Sequence, residues 1–121
     1  MTAAGDPLAR CRVLLVEDDY FIASEMSGAF AARGAEVLGP VPTVAAALAL
    51  IAATPEIDAA ILDINLQGEM SYPVADALQA RSVPFLFATG YDRAALPPRF
   101  TGVRHCEKPV DPATIAAALF A

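Results

Sequence analysis

Residues 11–26 read CRVLLVEDDYFIASEM, and the succession of residue types in that stretch decides the fold. Arg12 to Val16 is an apolar run without strict alternation, as expected of a strand covered on both faces. Three acids, Glu17, Asp18 and Asp19, follow at once. Ile22, Met26, Ala29 and Phe30 then recur at i, i+4, i+7 and i+8, the period of a helix with one buried stripe, and Gly34 supplies its stop. A buried strand feeding through an acidic turn into a packed helix is the opening unit of a parallel sheet with crossover helices.

Working outward, the same alternation recurs. Further apolar runs are AEVLG (Ala35 to Gly39), AAILD (Ala59 to Asp63), PFLFA (Pro84 to Ala88) and the weaker VRHCE (Val103 to Glu107). Val44, Ala47, Leu48 and Ile51 form a second helical stripe behind Thr43, a suitable N-cap, and Pro55 ends it. Val74, Ala77, Leu78 and Arg81 mark a shorter third helix. Asp111 followed by Pro112 is a cap with proline at the first helical position, which opens a last helix burying Ile115, Ala116 and Leu119. The expected architecture is a five-stranded α/β domain over residues 11–121, preceded by a loose tail over residues 1–10.

Composition excludes several classes. The chain has 121 residues, 56% hydrophobic, enough for one core and too few for two domains of ordinary size. Its net charge of -6 leaves no clustered Lys and Arg for a phosphate backbone, so no direct nucleic-acid contact is expected. The longest apolar block, Val44 to Ala53, falls short of the about 20 residues of a membrane span. The amino end lacks a basic and then apolar leader, which makes a cytoplasmic location the default. Cys11 and Cys106 fit neither a metal spacing nor a disulfide framework and read as reduced packing residues.

The polar residues that interrupt this scaffold follow the carboxyl ends of strands. Glu17, Asp18 and Asp19 follow the first, Asp63 and Asn65 the third, Thr89 the fourth and Lys108 the fifth. In an open parallel sheet of strand order 2-1-3-4-5, ligands bind beyond those ends where the order reverses, between strands one and three. Glu17, Asp18 and Asp63 should therefore converge. Three carboxylates repel unless a cation sits among them, and an all-oxygen donor set without His or Cys points to Mg2+, with the Asn65 carbonyl as a further ligand. Such a site suits a phosphoryl group. Asp63 could be its carboxylate nucleophile, Lys108 a point charge for one phosphoryl oxygen and the Thr89 hydroxyl a donor to another. Each residue alone has a plain reading as a helix-start charge, cap, turn or exposed lysine. Together those readings leave unexplained why acids, hydroxyl and lysine follow these particular strands.

With VEDD, LDI, ATG and EKP in this order over residues 11–120, the chain resembles the receiver domain of bacterial two-component response regulators. The resemblance implies a flavodoxin-like, CheY-like doubly wound fold and Mg2+-dependent phosphoryl transfer from a histidine kinase phosphohistidine, or from a histidine phosphotransfer protein, onto Asp63. It implies Glu17 and Asp18 as metal-side acids, Asn65 as carbonyl ligand, and Thr89 and Lys108 as phosphate contacts. Asp19 is left as helix-start charge. The protein would then be a phosphoacceptor switch rather than an enzyme, a monomer or weak dimer signalling through an output protein that the sequence does not identify. Asn65 and Tyr91, two residues beyond Asp63 and Thr89, would flank the path of attacking water. Because the chain stops just after the last helix, no output domain is expected within it. Partner switching and service as a phosphate sink for a shared kinase both stay open.

Two features depart from the common pattern. His105 stands three residues before the lysine, where the family often has a switching aromatic, and could be an ordinary histidine or a smaller, pH-sensitive switch. FATGY, Phe87 to Tyr91, is similar to the receivers nicknamed FAT GUY, which often work with HWE-type kinases. Pro97 and Pro98 cannot both sit inside a regular helix, so the helix after strand four should be at most a short turn over Asp92 to Leu96. Rival classes fit less well. A dehalogenase-type phosphatase would want an acid at Tyr20, a flavin phosphate binder would want Ser, Thr and Gly after strand one, and a pseudo-receiver would lack the acceptor set present here.

Overall fold

The computed structural model describes residues 8–89, 96–108 and 110–120, with Thr89, Leu119 and Phe120 as backbone only. The main strands are β1 (Arg12–Val16), β2 (Glu36–Val41), β3 (Ala59–Asp63), β6 (Phe85–Thr89) and β7 (His105–Glu107). They form one parallel sheet in the order β2-β1-β3-β6-β7, which is the expected 2-1-3-4-5. A two-residue hairpin, β4 (Asn65–Leu66) with β5 (Glu69–Met70), was not expected.

Helices cover both faces because successive side chains of a strand point to opposite sides. Leu14, Val16, Ala60, Leu62, Phe85 and Phe87 pack with Val44, Ala47 and Ile51 of α2 (Val44–Ala53) and Val74 and Leu78 of α3 (Tyr72–Ala80). The alternate set, Val13, Leu15, Ile61, Leu86 and Ala88, packs with Met26 and Phe30 of α1 (Tyr20–Ala32) and Ile115 of α4 (Pro112–Ile115). Both expected caps, Thr43 and Asp111, are made, and Asp19, expected only as helix-start charge, caps α1 as well. Asp19 accepts from Ile22 N at 3.0 Å, Thr43 from Ala46 N at 3.1 Å and Asp111 from Thr114 N at 2.8 Å.

Four details differ from the sequence reading. Leu8, expected in a loose tail, is fully buried beside Phe30 and Ala35, and Arg10 N donates to Gly34 O at 2.7 Å, so packing begins before Cys11. Strand β2 runs past Pro40, which an edge strand tolerates because one side needs no ladder donor. Gly39 permits this with φ +94°, where a Cβ would lie 2.8 Å from Val41 N and 3.0 Å from Leu15 O. Arg81 is not part of a buried stripe. It is exposed, and its guanidinium donates to Ile51 O (2.6 Å), Thr54 O (2.8 Å) and Pro55 O (2.8 Å), satisfying carbonyls at and just beyond the end of α2. The last helix passes after Ile115 into a π turn over Ala116–Phe120, with Ala116 half-buried; the Leu119 side chain lies outside the described residues.

Of the turn expected over Asp92 to Leu96, residues 92–95 lie outside the described residues. The chain re-enters through Pro97 into a 3₁₀ turn, Pro98–Phe100. Phe100 is fully buried, with ring centroids 5.6 Å from Tyr72 and 5.7 Å from Phe87. Arg99 stacks over it at 4.6 Å and holds Asp76 of α3 through Nε (2.9 Å) and Nη2 (3.1 Å). No helix among the described residues is long and apolar enough to cross a membrane.

Candidate functional site

The register of the sheet brings the strand ends together. Val16 pairs with Leu62 and Asp63 with Ala88, so the residue after β1 and the last residue of β3 are near neighbours at one edge of the core. Glu17 N donates to Val41 O at 3.0 Å, which extends the β1 to β2 ladder to the acid itself. Glu17 is 3% exposed and Asp63 7%, while Asp18 is half-buried. One carboxylate oxygen from each lies within 4.8 Å of the others.

Lys108, just past β7, closes the cluster. Its Nζ donates to Asp63 Oδ2 at 2.9 Å and to Glu17 Oε1 and Oε2 at 3.1 and 3.3 Å. Backbone donors complete the shell: Asp19 N reaches Glu17 Oε2 at 3.0 Å and Asn65 N reaches Asp63 Oδ1 at 3.3 Å. Asp19 therefore has two jobs, capping α1 with its side chain and holding Glu17 with its amide. The sequence places Asp19 only as charge at the helix start; both the side-chain cap and the amide contact come from the folded turn.

Electrostatics follow from burial. Burial pushes the Glu17 carboxyl up to about 7, with Asp63 adding to the rise, although the Asp19 amide and Lys108 pull it back. Asp63 is also raised by burial first, and the adjoining Asp18 carboxyl adds to it, while Lys108 and the Asn65 amide oppose. Lys108 pays for its own burial, yet its contacts with Asp63 and Glu17 outweigh that and raise its pKa. One ammonium thus faces three carboxylates, a deficit of positive charge that a hard divalent cation would fill through oxygen ligands alone. The donor set fits such an ion, with Glu17, Asp18 and Asp63 placed to hold it.

The other expected residues are placed as follows. Thr89 ends β6 with its backbone opposite Glu107, and its side chain lies outside the described residues, as does Tyr91. Asn65 is exposed on β4 and its Oδ1 accepts from Gly68 N at 2.6 Å. His105 is half-buried on β7 with its ring centroid 5.9 Å from Phe87. Cys11 and Cys106 are free thiols, and burial pushes Cys11 up to about 11. Beside the acids, Tyr20 and Phe21 open α1 with 75% and 82% exposure and ring centroids 5.7 Å apart.

No protein-family model and no curated protein matches the chain. Solved structures do. The chain is similar to SdrG from Sphingomonas melonis Fr1 in solution, with 39% identity, 98% of this chain and 95% of that chain covered, and a TM-score of 0.77. It is similar to the BeF3-activated conformation of SdrG from Pseudomonas melonis Fr1, with 40% identity, coverage of 91% and 93%, and a TM-score of 0.72. A response regulator receiver protein from Sinorhizobium medicae WSM419 shares the fold at 22% identity, with 93% of each chain covered and a TM-score of 0.73. So does a response regulator protein from Burkholderia pseudomallei that carries a phosphorylated aspartic acid, a calcium ion and citrate, at 22% identity, coverage of 90% and 66%, and a TM-score of 0.77.

Proposed function

Because the chain belongs to the receiver domains of response regulators, we propose that Asp63 accepts a phosphoryl group from the phosphohistidine of a sensor histidine kinase or histidine phosphotransfer protein. The observation that carries this reading is the single ammonium of Lys108 bound to both Asp63 (2.9 Å) and Glu17 (3.1 Å) at the tip of the central strands. An oxygen of the Asp63 carboxylate attacks phosphorus, the bond from phosphorus to the histidine nitrogen breaks, and the imidazole leaves with the electron pair and takes up a proton. The product is an acyl phosphate on Asp63. Lys108 neutralises phosphoryl charge from one side, and the Thr89 hydroxyl is proposed as a donor from another. Mg2+ held by Glu17, Asp18, Asp63 and the Asn65 carbonyl would supply charge neutralisation for the phosphoryl oxygens.

The protein is proposed to act as a switch rather than an enzyme, in the cytoplasm, with its output surface on the segment after Thr89. FATGY supports membership of the FAT GUY subset, and through it an HWE-type kinase as partner. The exposed Tyr20 and Phe21 beside the acids support a protein partner at this edge. Incubation with a small acyl phosphate tests the reading: the full chain should gain one phosphoryl mass only with Mg2+, and Asp63→Ala should gain none. Equal labelling of Asp63→Ala would refute it.

A further inference from the structure

Between the acceptor and α3 the chain doubles back. Asn65 pairs with Met70 and Leu66 with Glu69, and Gln67 and Gly68 turn the corner with φ of 56° and 94°. Two successive positive φ values make the kind of tight turn that matches strand twist, and glycine is at ease in the second place. The hairpin is rooted at both ends. Leu66 is 4% exposed in the core beside α3, and Ser71 N donates to Ile64 O at 2.8 Å across its base.

Asn65 makes two bonds in opposite directions. Its side-chain Oδ1 accepts from Gly68 N at 2.6 Å inside the turn, and its own N–H donates to Asp63 Oδ1 at 3.3 Å. We propose that Asn65 and Gly68 form a positioning pair: the side chain of Asn65 fixes the turn, and the fixed hairpin holds the Asn65 amide on the acceptor carboxylate. This rests on the reading of Asp63 as phosphoacceptor and deepens it. The two oxygens of Asp63 then have separate donors, Lys108 on Oδ2 and Asn65 N on Oδ1. The carboxylate enters the reaction already oriented. An asparagine side chain acting directly on attacking water would not need Gly68.

The test uses the full chain with acetyl phosphate and Mg2+, comparing Asn65→Ala, Gly68→Ala and the double variant. Alanine at φ 94° strains the turn without striking any neighbour. Each single variant should slow phosphoryl uptake by about three- to tenfold, the size of one modest hydrogen bond. The double variant should be no slower than the slower single, because both act through one contact. The residue-65 amide resonance should move in the same direction in both singles. Gly68→Asn, which keeps the N–H and tolerates positive φ, should restore the rate. Multiplying effects, or a slow Asn65→Ala beside a normal Gly68→Ala with an unmoved amide, would overturn the pair. Wild-type chain that takes up no phosphate would instead sink the phosphoacceptor reading beneath it.

Discussion

Lys108 Nζ sits 2.9 Å from Asp63 Oδ2, a bond between the loop after the edge strand and the tip of the central strand, 45 residues apart. The same nitrogen reaches Glu17 at 3.1 Å, so one cation organises the carboxyl ends of three strands. Replacing it with an isosteric apolar side chain, Lys108→Met, should slow phosphoryl uptake by about a hundredfold, in the range of losing one preorganised charge-stabilising donor. Lys108→Arg should not restore the rate, because a planar fork differs in reach from a point charge. Single-turnover labelling measures both, and an undiminished rate in Lys108→Met would contradict the role.

The site should also make the protein sensitive to pH. Burial raises Glu17 from 4.5 to about 7 and raises Asp63 as well. The folded state therefore holds protons that the unfolded state has released. That stabilising contribution is fully present below the unfolded pKa and is lost as pH rises through the folded value. Without divalent metal, Tm is expected to fall as pH rises from about 4.5 to about 7. Mg2+, which needs the ionised acids, should raise Tm more at about pH 8 than at about pH 5.5. A metal-induced shift equal at both pH values would contradict this account.

Arg81 offers a contrast remote from the chemistry. Its three bonds cap carbonyls at the end of α2 at 2.6 to 2.8 Å. Arg81→Met should lower stability in urea by about 1–3 kcal/mol, with phosphoryl uptake unchanged. A variant as stable as wild type would show that water replaces the guanidinium without cost.

Phe100 locks the return segment onto α3 and β6 through Tyr72 and Phe87. Phe100→Ala should cost about 3–5 kcal/mol, as for other fully buried aromatics. Chemical denaturation measures it, and a cost below about 1 kcal/mol would mean that the neighbouring rings collapse into the space.

The parts legible in the sequence are those governed by continuous burial. Arg12–Val16 and Ala59–Asp63 sit where their apolar runs placed them because both faces of each central strand are covered. The edge strand was harder: Pro40 reads as a break, yet it lies within β2 because Gly39 bends the chain and the outer side needs no donor. The hairpin after Asp63 has strands of two residues each, too short to leave a period. Arg81 fell on a helical spacing, but its length let it serve a neighbouring helix instead. At the site, strand-end position was enough to bring Glu17, Asp18, Asp63 and Lys108 together, since the topology fixes where those ends meet. That one lysine bridges two acids, and that the amides of Asp19 and Asn65 hold them, depends on turn geometry with no pattern in the sequence.

The central claim is that Asp63 is the phosphoacceptor of a divalent-dependent site. Its most direct measurement is intact-mass and peptide-level analysis of the full chain after incubation with acetyl phosphate, with Mg2+ or with chelator. A single phosphoryl group on the peptide containing Asp63, present with Mg2+ and absent with chelator and in Asp63→Ala, is the predicted result. Phosphoryl uptake at another residue, or undiminished uptake in Asp63→Ala, would contradict it.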